Sequence, residues 1–197
     1  MTYLLGLTGS IGMGKSTTAR MFADLGCALW DADAAVHRLY APGGAAVAPM
    51  RAVFPDAIED GGVSRARLKA ILAADDTALA RIEGIVHPLV ASDRQAFLSE
   101  TEADIAVLDI PLLFEGGFDA MMDATVCVTA PPDVQRARVM ERGTMSAAQF
   151  EAILAKQMPD AEKRRRATWV VTTDTLENAR MQVQGIVDDI RKGRAHA

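Results

Sequence analysis

The sequence predicts an α/β fold in which helices cover both faces of a mainly parallel sheet. Three features carry that prediction. Five short apolar runs rich in β-branched residues (3–7, 28–30, 105–110, 125–129 and 169–172) alternate with helical stretches, the pattern of strands buried on both sides. A glycine-rich turn follows the first run directly and opens an amphipathic helix over 17–25. Between the second and third runs, about 70 residues carry helical periodicity and no strand signal, which predicts a helical insert rather than a simple crossover.

The turn after the first strand reads Gly9-Ser10-Ile11-Gly12-Met13-Gly14-Lys15-Ser16, a complete G-x-x-x-x-G-K-[ST] segment. A strand feeding such a turn into a helix aims backbone N–H groups and the positive end of the helix dipole at one point. The glycines let the backbone close around an anion without a Cβ in the way. Lys15 is then placed to reach the β- and γ-phosphates of a nucleoside triphosphate, and the Ser16 hydroxyl to ligate Mg²⁺.

The second strand runs into Asp31-Ala32-Asp33 and a helix over 32–40. Asp31 reads as the cap of that helix. Asp33 reads as the carboxylate with a chemical role, taking a proton from an acceptor hydroxyl and helping to place Mg²⁺. In the insert, Pro42-Gly43-Gly44 and Pro55 break the chain, and Gly61-Gly62 precedes Ser64, a predicted N-cap. Leu68, Ile71 and Leu72 share one helix face, and Leu79, Ile82 and Val86 the next. Pro88 is expected to restart the chain into a long helix through Glu102, which would push His87 off the α-region and hold its ring at a helix junction.

The third strand ends at Asp109, where an acidic residue can reach Mg²⁺ through water, and Pro111-Leu112-Leu113-Phe114-Glu115 follows. After the fourth strand a helix is predicted over 131–142. The turn Gly143-Thr144-Met145 leads to a second helix, running to Gln157, with Ser146 and Gln149 as its capping box. This hairpin has the makings of a lid that closes cations onto transferring phosphates. The last helix is predicted from an Asp174–Glu177 capping box and from Leu176, Ala179, Val183, Ile186, Val187 and Ile190 at helical spacing.

Composition narrows the classes. A chain of 197 residues suits one globular domain and needs neither disulfides nor metal to fold. Cys27 and Cys127 sit in apolar runs, with no C-x-x-C and no zinc-type spacing. With the first strand expected from Tyr3, no leader is expected, and no run approaches membrane-spanning length. The expectation is a cytoplasmic protein, monomeric or weakly homo-oligomeric, with no nucleic-acid partner. The net charge is −5, yet residues 136–166 carry eight basic side chains against four acidic ones, so the rest of the chain stands at −9. A basic island in an acidic protein points to a specific anion rather than a polyanion, although Arg164 to Arg166 read equally well as a solvated helix face.

Taken together, residues 6–16, Asp31-Ala32-Asp33, His87-Pro88-Leu89, Pro111-Leu112-Leu113-Phe114-Glu115, Arg138, Arg142, Ala155-Lys156-Gln157 and Lys163 closely resemble dephospho-CoA kinases in order and spacing. The resemblance runs from Tyr3 to about residue 172. It implies a P-loop NTP hydrolase-like three-layer fold: a five-stranded parallel sheet (core 1–40, 103–130 and 167–197), a helical acceptor-binding insert (about 41–102) and a helical lid (about 131–166). It also implies transfer of the ATP γ-phosphate to the ribose 3′-hydroxyl of dephospho-CoA, the last step of coenzyme A synthesis, with Mg²⁺ as cofactor. By position, Asp33 corresponds to the general base, assisted by Lys15. Gly9, Gly12, Met13, Gly14, Lys15, Ser16 and Thr17 correspond to the ATP cradle, and Arg142 to a lid cation for ATP. Asp33, His87 and Glu115 fall on the acceptor side, and Ser16 and Asp109 on the metal.

Three positions depart from that family. Ser10 stands where glycine is usual, which is harmless if its φ is negative. Thr172-Thr173 replaces an Asp-Asn pair after the last strand, and Ala73 an aromatic residue in the insert. Shikimate kinase shares the P-loop and an Asp-x-Asp, but leaves the long insert, His-Pro-Leu and Pro-Leu-Leu-x-Glu unexplained. A GTP-hydrolysing switch would need an Asn/Thr-Lys-x-Asp signature, which is absent from the sequence. An idle binding module would not need to keep Asp33, Asp109, Lys15 and the basic hairpin.

Overall fold

The computed structural model describes residues 1–195. In chain order its elements begin with β1 (Tyr3–Thr8), α1 (Lys15–Asp24), β2 (Ala28–Asp31), α2 (Ala32–Tyr40), α3 (Val47–Val53), β3 (Ile58–Glu59), β4 (Gly62–Val63), α4 (Arg65–Ala74) and α5 (Ala78–Glu100). They continue with β5 (Ile105–Asp109), β6 (Ala124–Thr129), α6 (Pro132–Glu141), α7 (Ala147–Leu154), α8 (Asp160–Arg166), β7 (Trp169–Thr172) and α9 (Leu176–Ala195). The chain divides into two compact units, one of Met1–Trp30 with the chain from Glu102 onward, the other of Asp31–Thr101.

The first unit is built on a five-stranded parallel sheet in the order β2-β5-β1-β6-β7, so all five predicted strands form, within one residue of their predicted ends. From β1 the chain goes to one side, to β2 and β5, and later to the other, to β6 and β7. The carboxyl end of β1 is therefore the topological switch point, where open α/β sheets leave room for a ligand. Register aligns Leu7 with Asp109 and Thr8 with Cys127 across β1's two neighbours. Leu5, Leu7, Val107, Val126, Val128 and Val171 are fully buried, with Phe22 of α1 and Val183 and Val187 of α9 packed in the same core. Both thiols are buried and free. Burial raises Cys27 to about 11 and Cys127 to about 12, so neither is a thiolate at neutral pH.

Helix α9 follows its predicted spacing except at Leu176, which is exposed. Its start also differs: the Thr175 hydroxyl accepts from the Asn178 N–H at 3.1 Å, so Thr175 caps the helix and the predicted Asp174–Glu177 box does not form. The cause is a one-residue shift, which puts Asn178, not Glu177, at the third helical position.

The second unit has its own core, with Leu39, Met50, Phe54, Leu68, Ile82 and Val86 buried together. Leu72 and Leu79, predicted to share the inward faces, are exposed. Two further expectations are corrected. The segment predicted without strands contains a minimal hairpin, in which Ile58 pairs with Val63 and Glu59 with Gly62. Its two turn residues both have positive φ (Asp60 48°, Gly61 80°), as a tight Asp-Gly hairpin turn requires. Two-residue strands are too short to register as a period.

The predicted break at Pro88 is absent. Helix α5 runs 23 residues with Pro88 inside it, and His87 is a helical, exposed residue rather than one at a junction. Proline disfavours a helix interior by roughly 3 kcal/mol. That penalty is outweighed by packing on both sides of it, with Ala78, Ile82 and Val86 buried and Leu89 and Val90 set against the same core. Because Pro88 is exposed, Pro88→Ala restores a helix hydrogen bond and removes no core contact. It should stabilise the protein by roughly 1–3 kcal/mol. Urea unfolding measures this, and a lower midpoint would mean that the proline shapes the helix to fit its core.

Candidate active site

Thr8, the last residue of β1, is fully buried and donates its hydroxyl to the Pro111 carbonyl at 2.9 Å. The chain then turns: the Met13 N–H reaches the Ser10 carbonyl (3.2 Å), and Gly14, in the left-handed conformation, is the N-cap of α1. No side chain caps α1, so the start of the helix and its dipole face the loop interior. Gly12 admits no side chain. Its φ is +79°, and a Cβ there would lie 2.6 Å from Val139 Cγ2 and 3.0 Å from the Gln135 carbonyl. Asp60 is the only described non-glycine residue with positive φ, so Ser10 sits in the loop without backbone strain. Met13 turns its side chain inward, 3% exposed, where its sulfur accepts from the Ala130 N–H. It offers the loop main chain only.

Side chains from far along the chain brace this turn. Gln135, buried on α6, donates Nε2 to the Ile11 carbonyl at 2.7 Å. Gln157, just beyond α7, accepts from the Ile11 N–H at 3.3 Å. The Thr173 hydroxyl donates to the Met13 carbonyl at 2.7 Å.

Lys15 ion-pairs with Asp109, the final residue of β5. The parallel register beside Leu7 carries Asp109 to the head of the loop, where it is 1% exposed. Ser16 and Thr17 follow, exposed, in the first turn of α1. Among the described residues no cluster of three His, Cys, Asp or Glu side chains forms a metal cage. One hydroxyl and one carboxylate are the donor set expected for Mg²⁺ that keeps its waters and arrives on phosphates.

Next to the loop lies a cavity of about 360 Å³, lined by Gly14, Thr17, Arg138, Arg142, Thr173 and Ala179 among others. Arg138 enters its wall as a fixed fork, donating to the Thr173 hydroxyl at 2.8 Å and to the Thr173 carbonyl at 2.5 Å. Arg142 is exposed at the rim. Thr172, the other half of the departing pair, is held main chain to side chain by Gln182 (3.0 Å in both directions).

Glu115 is tied down. Its Oε1 accepts from the Met158 N–H at 2.9 Å and from Lys163, whose side chain is 0% exposed, at 2.9 Å. Lys163 also reaches the Pro111 carbonyl at 3.2 Å. Burial would raise the Glu115 carboxyl, but these hydrogen bonds outweigh it and hold the group below its ordinary value. The predicted basic island thus comes apart. Arg164 pairs with Asp160, Arg165 and Arg166 pair with Glu162 on the same helix, and Arg136 pairs with Glu151.

The structure therefore gathers Gly9, Gly12, Met13, Gly14, Lys15, Ser16, Thr17, Asp109 and Arg142 around one turn. Asp33 and His87 belong to the second unit, exposed on α2 and α5. Asp31 caps α2, as predicted, accepting from the Ala34 N–H at 2.9 Å. Sequence reasoning gave no role to Thr173, Gln135 or Gln157, and left Arg138 unplaced. Each acts on a residue more than 30 positions away, a separation that leaves no local pattern.

The family model for dephospho-CoA kinase matches residues 3–178. A dephospho-CoA kinase of Ruegeria pomeroyi is 67% identical over the full length of both chains, and one of Cereibacter sphaeroides is 60% identical over 96% of each. Among solved structures, a Thermus thermophilus protein superposes with a TM-score of 0.85 at 33% identity, covering 94% of this chain and 96% of its own. A shikimate kinase of Acinetobacter baumannii, 17% identical with a TM-score of 0.53 over 98% of this chain and 95% of its own, shares the fold.

The Glu115–Lys163 pair is asymmetric, with side-chain exposures of 20% and 0%. Glu115→Ala strands a buried ammonium and should cost roughly 3–5 kcal/mol, on the order of 10 °C in Tm. Lys163→Met leaves a carboxylate that water can reach and should cost clearly less. Equal losses would show that the charges do not matter. The lowered Glu115 pKa adds stability that is complete above its unfolded value of about 4.5 and is lost as pH falls through the folded value. Glu115→Gln should flatten that acid limb in thermal melts.

Proposed function

The chain belongs to the dephospho-CoA kinase family, and from that premise we propose that it transfers the γ-phosphoryl group of ATP to the ribose 3′-hydroxyl of dephospho-CoA, releasing CoA and ADP. The family accounts for the place of the reaction as the final step of coenzyme A synthesis. The observation that carries the proposal is the braced turn between β1 and α1, with the ammonium of Lys15 held at its head and a two-arginine cavity at its side.

Between Gly12 and Thr17, the loop amides other than that of Met13, which is bonded to the Ser10 carbonyl, bind the β- and γ-phosphates at the α1 N-terminus. Asp109 fixes Lys15 in place, so this cation needs no reorganisation to meet developing phosphate charge. Ser16 and Asp109 would hold Mg²⁺, which would supply neutralisation of charge on the transferring group. The nucleoside occupies the cavity beside the loop, against the Arg138 fork and the Thr173–Thr175 segment, and Arg142 supplies a further cation from the lid, residues 131–166.

Asp33 takes the proton of the acceptor hydroxyl as its oxygen bonds to the γ-phosphorus and the β,γ-bridging bond breaks. Asp31 spends its carboxylate on the α2 cap, which leaves Asp33 as the free member of the pair. Asp33, His37 and Tyr40 follow at i, i+4 and i+7, so they share one face of α2. His37 and Tyr40 line a cavity of about 390 Å³ with Arg65 and Ser64, room for part of the long acceptor in the insert. His87, exposed on α5, serves the same side.

ADP release with Mg-ATP, compared with dephospho-CoA, shikimate or no acceptor, tests the reaction. Stimulation by dephospho-CoA alone, with CoA as product, is expected. Stimulation by shikimate, or hydrolysis without acceptor, would overturn it. Asp33→Asn should lower turnover by about 10²–10⁴-fold, the usual worth of a general base, with the KM for ATP nearly unchanged. Wild-type turnover would remove Asp33 from the role.

A further inference from the structure

Gln157 touches the phosphate loop with only half of its carboxamide. The group facing it is the Ile11 N–H, a donor, so the atom at 3.3 Å is the side-chain oxygen. The amide nitrogen, with two N–H donors, lies on the other branch and bonds to no described residue. The residue is half-buried, but this nitrogen is not among the buried side-chain atoms left without a partner, so both of its donors stand open to a ligand beside the loop.

The backbone around Gln157 is fixed as well. Its own N–H is bonded to the Leu154 carbonyl at 3.1 Å. The next residue, Met158, gives its N–H to Glu115, which the fully buried Lys163 holds from the other side. A surface glutamine does not need two such anchors. A carboxamide aimed at a loop that binds phosphate does, because its reach is set by its backbone.

Resting on the proposed use of ATP, we infer that Gln157 is a terminal-phosphate ligand. Its oxygen orders the loop through the Ile11 N–H, and its nitrogen donates to an oxygen of the γ-phosphoryl group. Gln135 holds the carbonyl of the same residue, so the Ile11 segment cannot tilt when the phosphate is gripped. The Glu115–Lys163 pair acts at one remove, as the anchor that keeps Gln157 in range.

The test is direct binding, by titration calorimetry, of ADP and of the non-hydrolysable β,γ-imido analogue of ATP to the full chain. Gln157→Glu keeps an acceptor for the Ile11 N–H, so the loop brace survives, but it loses both donors and adds a negative charge. It should weaken the analogue by at least 10- to 100-fold, roughly the worth of a hydrogen bond to a charged group, while ADP changes by less than about 2-fold. Gln157→Ala should show the same selectivity with a smaller loss for the analogue. In turnover assays kcat should fall with the KM for dephospho-CoA unchanged. Equal losses for ADP and the analogue would reduce Gln157 to a loop brace and overturn the inference, as would no loss at all. A wild-type chain that binds neither ligand would instead overturn the nucleotide reading on which it rests.

Discussion

The turn between β1 and α1 has to hold one open shape, and the rest of the first unit is arranged to meet that constraint. A loop of six residues with three glycines resists being held in one shape, since Gly loses more conformational freedom on folding than any other residue. Here the Ile11 carbonyl and N–H, the Met13 carbonyl and the Met13 sulfur are each engaged from outside the loop, by Gln135, Gln157, Thr173 and Ala130. Each such bond is worth only about 0.5–1.5 kcal/mol net. What they supply together is geometry. The partners come from α6, from just beyond α7, and from the ends of β6 and β7, so the shape of the loop is set from several elements at once.

Charge is used in two different ways around that turn. Lys15–Asp109 and Lys163–Glu115 each include a nearly or fully buried partner, and removing the more exposed member of either would strand a buried ion with little water to replace its mate. These pairs fix positions. The exposed pairs of Arg164, Arg165, Arg166 and Arg136 are of the kind that contributes little to stability, although they do spend guanidinium groups that the composition had left available. Only Arg138 and Arg142 of the basic stretch line the cavity beside the loop. Of these, Arg138 is oriented by Thr173, which takes on the loop and the arginine together.

The second unit shows the same competition between local and tertiary preference. Pro88 should end a helix, yet α5 continues because apolar residues on either side of it share one core. Asp60 adopts a positive φ because a two-residue hairpin cannot close otherwise. In both places a local cost is outweighed by burial, which no short window of sequence can weigh.

By itself, the sequence determined the five strands of the main sheet and most of the helices around them, the phosphate-binding turn, the family, and the Asp31 and Ser146 caps. All of these are written in spacings of a few residues, where chain geometry converts pattern into structure directly. The Asp109 carboxylate was legible too, because a strand's last residue is also a position in the sheet. Only the tertiary structure decided which side chains are spent and which remain free. It gave Glu115 to Lys163 and Met158 rather than to open solvent, paired Lys15 with Asp109, divided the Ile11 peptide groups between Gln135 and Gln157, and carried α5 through its proline. The partners in the Ile11–Gln157 bond are 146 residues apart, and those in the Lys163–Pro111 bond 52. Such pairs meet only because parallel strands bring distant loops to the same end of one sheet, and a hydrogen bond leaves no trace in the sequence until that has happened.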